Sequence, residues 1–171
     1  MVLDEAYYDF SGHTFINQMN DHNNLVILRS LSKIGLAGLR VGYGIFPRVL
    51  VDAINKIRLP YNSNSVTQLA ATELLKNFSL VQKQIDSIKT ERGRLFEELA
   101  KIQSINTYPS DSNFILFQAT KNGENVFRNL MENRILIRNL GSHPMLKNCL
   151  RVTIGTKAEN DQFLDKLKKA I

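Results

Sequence analysis

The sequence predicts an α/β chain, in which a layer built on buried parallel strands is followed by a smaller α+β unit. Three observations predict it. Leu25-Val26-Ile27-Leu28 is an uninterrupted apolar run, as a strand covered on both faces in a parallel sheet requires. Residues 49–102 carry apolar side chains at helical spacing in three successive blocks. After Pro109 the pattern becomes strand, helix, strand, strand, helix, the order of a small sheet with helices on one face.

Taken in order, Val2-Leu3 closing on Asp4-Glu5 predicts a short strand with acids at its C-terminal end. Ser11 to Asn24 holds Gly12, His13, Asn17, Asn20, Asp21, Asn23 and Asn24, which predicts a loop with a short helix over Phe15–Met19. Gly42 and Gly44 lie in a third strand, Val41–Phe46, where missing side chains permit close backbone approach; Pro47 ends it. Val49, Ala53, Ile54 and Ile57 predict a helix that stops before Pro60. Ser65 is suited to cap the next, with Val66, Leu69, Ala70, Leu74 and Leu75 on one side and Glu73 and Lys76 on the other. Val81, Ile85, Ile88, Arg92, Leu95, Phe96, Leu99 and Ile102 mark a long helix able to bridge two subdomains. Beyond it, Asn113–Phe117, Ile135–Ile137 and Leu150–Ile154 predict strands, and Gly123–Asn133 and Glu159–Ala170 predict helices. The boundary is placed in the long helix near Gly93, dividing the chain into 1–92 and 93–171.

Composition narrows the function classes. The 171 residues include 22 basic and 16 acidic side chains, a formal charge of +6. The positives form no long tract and no aromatic-basic motif, which disfavours nucleic acid as the partner. Lys166, Lys168 and Lys169 crowd the last turn of a helix, where cations favour the helix dipole. No apolar run approaches the roughly 18–20 residues that span a bilayer, and MVLDEAYYDF has no basic region of a secretory signal. A lone Cys149 excludes an internal disulfide framework and a cysteine-rich zinc site, and fits a reducing, cytoplasmic compartment. His13, His22 and His143 are too scattered for a metal site. Because the chain opens inside a hydrophobic segment, it is expected to be the later part of a longer protein.

The segment Arg29–Tyr43, RSLSKIGLAGLRVGY, carries the most chemistry. It packs Ser30, Ser32, Lys33, Gly35, Gly38 and Arg40 into eleven residues just past a buried strand, where α/β sheets bind ligands. Hydroxyls and an arginine can hold a phosphate, and a desolvated lysine can act as a nucleophilic amine. A basic surface loop with a solvated Lys33 reads from the same letters. No GxxxxGK[ST] or GxGxxG is present, which argues against a nucleotide site. Asp4 can hold a protonated heterocycle nitrogen with Tyr7 reaching the same ligand, or it can cap the following turn. Cys149 reads as a packed thiol, Arg29 and Arg58 as element-end charges, and Phe114, Phe117, Phe127 and Phe163 as core.

Four segments, DEAYYDF at Asp4–Phe10, LRSLSKIGLAGLRVGY at Leu28–Tyr43, RLPYNSN at Arg58–Asn64 and CLRVTIGT at Cys149–Thr156, occur in an order that covers essentially the whole chain. Together they resemble the fold-type I aminotransferases that use pyridoxal 5'-phosphate, and specifically the histidinol-phosphate aminotransferase family. The second segment is the most specific. The resemblance implies the later part of an aspartate aminotransferase-like large domain over residues 1–92, with its interdomain helix, and a whole small α+β domain over 93–171. It implies that Lys33 forms the Schiff base, Asp4 pairs with the pyridine nitrogen and Tyr7 with the ring hydroxyl. Ser30, Ser32 and Arg40 would hold the cofactor phosphate. Arg151 would grip the substrate carboxylate or phosphate, Arg138 would be a second phosphate contact, and Tyr61 and Asn62 would line the substrate side. The implied reaction exchanges L-histidinol phosphate and 2-oxoglutarate for imidazole-acetol phosphate and L-glutamate, in a homodimer.

Two departures accompany the resemblance. Many members have one more residue between the lysine and the LAGLR element than Lys33-Ile34-Gly35-Leu36 provides. Roughly the first half of the family's chain is also missing, so these residues alone are expected to have little or no transaminase activity. An aromatic-amino-acid aminotransferase and a phosphothreonine decarboxylase-like enzyme share the lysine motif and are separated by substrate. A non-catalytic aminotransferase-like effector module would need an upstream DNA-binding segment.

Overall fold

A computed structural model describes residues 1–171, which form two compact units, Met1–Ile85 and Asp86–Ile171. The division falls inside the long helix. In the first unit, β1 (Val2–Asp4), β2 (Val26–Ser30) and β3 (Gly42–Ile45) form a sheet in that order. β1 runs parallel to β2, with Asp4 beside Leu28, but β3 returns antiparallel, with Gly42 beside Ser30 and Tyr43 beside Arg29. The sheet is therefore mixed. Residues 31–41 between β2 and β3 hold only short 3-10 turns, whereas a parallel return needs a crossover of a dozen or more residues. β2 is not covered along both faces either: Ile27 is fully buried, but Leu28 is 40% exposed.

Around this sheet lie α1 (Tyr8–Ser11), α2 (Arg48–Ile57) and α3 (Ser65–Lys76), and the polar loop contains a 3-10 turn at Ile16–Asn20. No residue of α2 is buried; Val49 and Ile57 on its apolar side are open. The cap of α3 is Asn64, whose side chain accepts from the Thr67 N–H at 2.8 Å, so Ser65 is the first helical residue instead. Helix α4 (Phe78–Ala100) then runs across the division between the units.

The second unit is a four-stranded antiparallel sheet of β4 (Ile105–Thr107), β5 (Phe114–Ala119), β6 (Arg138–Asn139) and β7 (Cys149–Thr153), ordered β4-β5-β7-β6. With α5 (Gly123–Glu132) and α6 (Lys157–Ala170) it encloses one contiguous core. Leu95 and Leu99 of α4, Val126 and Leu130 of α5, and Phe163, Leu164 and Leu167 of α6 meet Ile115, Phe117, Leu150 and Val152 of the sheet. Strand alternation then turns Phe114, Leu116 and Arg151 to the opposite face. Phe114, expected in the core, therefore lies outside it, with its ring centre 4.8 Å from the Arg151 guanidinium.

The expected strand Ile135–Ile137 is absent. Arg134 adopts a left-handed φ of 63°, and the Ile135 N–H closes back on the Leu130 carbonyl at 2.9 Å. Ile135 and Ile137 follow the end of α5 and pack against the core while Leu136 is left exposed, and pairing begins only at Arg138.

Candidate functional site

Strand alternation sorts the chemistry of the first unit onto two faces. Asp4, Leu28 and Ser30 share one face with Gly42 and Gly44 of the neighbouring strand. Both positions exclude a side chain: a Cβ at Gly42 would stand 2.7 Å from the Arg29 carbonyl oxygen, and the space beside Gly44 is taken by the Phe46 ring. Asp4 ends β1, where its Oδ1 accepts from the Ala6 N–H at 2.9 Å and its other oxygen takes no partner. An open depression of about 260 Å³ adjoins it, lined by Asp4, Tyr7, Tyr8, Ser11 and His13.

Beyond β2, the backbone coils into a 3-10 turn, Leu31–Ile34, that carries Lys33. Ser30 caps it, its Oγ accepting from the Ser32 N–H at 3.1 Å. Leu31 and Ile34 are buried and anchor the turn, so Ser32 and Lys33 are held half-exposed between them. Gly35 closes the turn at φ 96°, a conformation side chains resist, which explains that glycine without reference to a ligand. The Lys33 ammonium makes no hydrogen bond or ion pair within the chain and stands 5.3 Å from the centre of the Tyr7 ring. Arg40 is exposed, at φ 54°, two residues before β3.

The structure therefore groups Asp4, Tyr7, Ser30, Ser32 and Lys33 at the C-terminal ends of two parallel strands. It does not gather every candidate. Tyr61 is 95% exposed and Asn62 is exposed too, in the loop between α2 and α3.

In the second unit, Arg151 of β7 and Arg138 of β6 are direct cross-strand partners on the face turned away from the core. Two cations so placed repel one another and favour a bound anion. The Arg151 Nε is buried with no hydrogen-bond partner, an unmet donor on that face. By contrast, a 270 Å³ cavity lined by Asn122, Asn125, Asn129 and the chain's last residues contains none of the candidate residues.

Sequence reasoning missed one cluster. Glu5 and Arg29, read as ordinary strand-end charges, form a buried ion pair whose side chains are only 7% and 12% exposed. Arg29 Nε and Nη2 donate to Glu5 Oε2 at 3.1 and 2.9 Å, and the Phe15 N–H donates to Oε1 at 2.8 Å. Burial alone would push the Glu5 carboxyl up, but the bonds from Phe15, Thr14 and Arg29 outweigh it and hold it below its ordinary value. The signal was available: Glu5 follows Asp4 in a strand, so the two carboxylates must face opposite ways.

An amine, a carboxylate, a phenol and two hydroxyls thus lie near the ends of two parallel strands in an α/β setting. Residues 1–167 match the family described as aminotransferase class I and II, and the chain belongs to that family. It is 42% identical over 170 residues to the histidinol-phosphate aminotransferase of Neisseria gonorrhoeae strain NCCP11945, an alignment covering 99% of this chain and 47% of the relative. The crystal structure of the histidinol-phosphate aminotransferase from Clostridium acetobutylicum superposes with a TM-score of 0.88 at 30% identity, over 98% of this chain and 53% of that one. The enzyme of the same name from Sinorhizobium meliloti, in complex with pyridoxal-5'-phosphate, gives a TM-score of 0.83 at 28% identity, over 99% and 48%. The chain thus spans about half the length of the curated relatives it matches. Its α/β fold is that of the pyridoxal-phosphate-dependent aminotransferases.

Proposed function

We propose that the protein is a pyridoxal-phosphate-dependent aminotransferase exchanging L-histidinol phosphate and 2-oxoglutarate for imidazole-acetol phosphate and L-glutamate. One observation carries the reading: Lys33 follows β2 while Asp4 ends the parallel neighbour β1, so an amine and a carboxylate lie at the same edge of one sheet. The donor set fits the cofactor. A carboxylate with an unused oxygen, an amine with no ion pair and two hydroxyls lie at the C-terminal ends of β1 and β2, and an arginine lies two residues before β3. Residues 1–92 correspond in this reading to the later part of the cofactor-bearing domain, and 93–171 to the small domain.

Each residue then has a task. Asp4 keeps a proton on the ring nitrogen, and Tyr7 bonds the ring hydroxyl. Ser30, Ser32 and Arg40 hold the cofactor phosphate, with charge assistance from the guanidinium. When bound, the cofactor supplies an electron sink for the carbanion left at substrate Cα. Lys33, as a free amine, takes the proton from Cα and delivers it to the acceptor carbon. Arg151 grips the substrate carboxylate or phosphate through a planar fork that lysine does not offer, and Arg138 adds a second phosphate contact. Tyr61 and Asn62 line the substrate side. The whole protein is read as a cytoplasmic homodimer, and the exposed Val49, Ile57, Leu59, Val66 and Leu69 are apolar surface of the kind such a partner covers.

Titration of the chain with pyridoxal 5'-phosphate, followed by visible absorbance, tests the assignment of Lys33. A visible imine band is expected that Lys33→Ala abolishes; a band that persists in Lys33→Ala removes this lysine from its role. The substrate is tested on the whole protein, by setting turnover of histidinol phosphate against transamination of phenylpyruvate. A preference for phenylpyruvate would transfer the protein to an aromatic specificity.

A further inference from the structure

Three residues from two separate parts of the first unit bind the Glu5 carboxylate. Arg29 reaches it from β2, the Thr14 hydroxyl lies 3.1 and 2.9 Å from its two oxygens, and the Phe15 N–H caps Oε1. The cluster closes on itself, because Arg29 Nη2 also donates to Thr14 Oγ1 at 2.9 Å. The guanidinium rests 3.5 Å above the centre of the Tyr8 ring, and Tyr43 is its cross-strand neighbour on β3. All of this lies on the face opposite Asp4 and Ser30. Glu5 is the residue after Asp4, and Arg29 the residue before Ser30.

A buried ion pair of this kind is a poor device for stability, since well-packed apolar residues in its place are often as good or better. Its distinctive property is geometric: Arg29 donates twice to Oε2 while Thr14 and Phe15 hold Oε1, so both carboxylate oxygens are fixed in place. That property is needed here. β1 contributes only three paired residues, and the last of them is Asp4. Main-chain bonding to β2 ends one residue past Asp4, where the Glu5 N–H donates to the Leu28 carbonyl at 2.8 Å, so few backbone bonds tie Asp4 to the turn carrying Lys33.

We propose that the Glu5–Arg29–Thr14 cluster is a positioning device, which fixes the ends of β1 and β2 relative to each other so that Asp4 and Lys33 address one and the same cofactor. It rests on the cofactor reading given above. None of the three side chains touches the reacting atoms; they act through Asp4 and through the turn that Ser30 caps.

The test uses the 171-residue chain with Glu5→Gln, Arg29→Lys and the milder Thr14→Val, which keeps the ion pair and so retains the fold if the other two lose it. Amide hydrogen exchange without cofactor is read at Ala6, whose N–H is held by Asp4, and at Ser32, whose N–H is held by Ser30. Exchange at these two sites is expected to accelerate by about tenfold more than at the core amide of Ile27, as loss of a supporting shell predicts. With pyridoxal 5'-phosphate added, affinity is expected to fall about tenfold, and the pH midpoint of the Lys33-dependent band is expected to move, because that midpoint reports the charge Asp4 presents to the ring. Uniform acceleration across the unit, or an unchanged midpoint in variants that bind, would show a merely structural pair and overturn the proposal. A wild-type chain with no Lys33-dependent band overturns the cofactor reading, and this role with it. A wild-type chain that shows the band, beside variants with wild-type midpoints, overturns the positioning role alone.

Discussion

Asn160 offers a sharp test of how the second unit is held together. It is 2% exposed, at the start of α6, and its side chain satisfies three groups. Its Nδ2 donates to Glu91 Oε2 of α4 at 2.9 Å and to the Gly155 carbonyl at 3.0 Å, and its Oδ1 accepts from the Gly155 N–H at 3.0 Å. Each neutral bond contributes about 1 kcal/mol and the charge-assisted one about 2 kcal/mol. Asn160→Ala is therefore expected to cost about 3–4 kcal/mol. In a unit of this size, that lowers the melting temperature by about 12–30 °C.

Asn160→Asp separates hydrogen bonding from volume. It keeps the shape and the acceptor facing Gly155, but sets a second carboxylate against Glu91. At about 3 Å and an effective dielectric of about 20, the repulsion is on the order of 5 kcal/mol, reduced by Arg94, which donates to Glu91 and pairs with Asp161. The two acids then share a proton, and the folded state binds more protons than the unfolded one, so the cost of the substitution grows as pH rises from about 4 toward 7. In the wild type the linkage has the opposite sign. The Arg94 bond, set against the cost of burial and helped by Asn160, holds Glu91 below its ordinary value, and its contribution is complete above the unfolded pKa. Urea unfolding of both proteins at several pH values, followed by amide exchange in the second unit, measures the difference. A cost below about 1 kcal/mol, or one independent of pH, would refute this account of the cluster.

Two further outcomes follow from single sites. Glu91→Gln is expected to flatten the acid limb of unfolding in the second unit, since the depressed carboxyl contributes stability that is lost as pH falls below 4.5; an unchanged acid limb would count against the shift. Gly42→Ala drives a methyl to 2.7 Å from the Arg29 carbonyl and is expected to cost about 1–3 kcal/mol by forcing β3 away from β2, and a variant that melts with the wild type would show that the strands tolerate it.

Elements with many residues in one environment were legible in the sequence. The run Leu25–Leu28 marked β2, and the spacing from Val81 to Leu99 marked α4, because each repeats its signal several times. Of the elements of two or three residues, the strand β1 was read but β4 and β6 were not. β4 has one buried apolar residue, Ile105, and β6 is Arg138-Asn139, which has no strand signal of its own. Ile135–Ile137 misled for the complementary reason: burial asks for apolar letters whether or not the backbone is paired. The direction of β3 was readable from the short connection after β2, but not from the strand's own residues. Of the site, the chemistry-bearing letters stood out as types, whereas the Glu5–Arg29 pair depends on two residues twenty-four positions apart meeting across parallel strands.

In both units the period of two along a strand does the same work. In the second unit it assigns Ile115, Phe117, Leu150 and Val152 to the helices and leaves Arg151 and Arg138 side by side on the other face. In the first it assigns Glu5, Arg29 and Tyr43 to a bonded, shielded face and leaves Asp4, Ser30 and two glycines on the face that carries the proposed chemistry. Asp4 is exposed, so water satisfies its unused oxygen, whereas Glu5 is buried and depends on its partners. Adjacent residues of a strand point opposite ways, which puts the two carboxylates in these different surroundings. A one-residue slip in β1 would exchange Asp4 for Glu5 and lose both functions together. The proposed clamp and the proposed chemistry share one register, which is why a change at Glu5 is expected to be felt at Asp4.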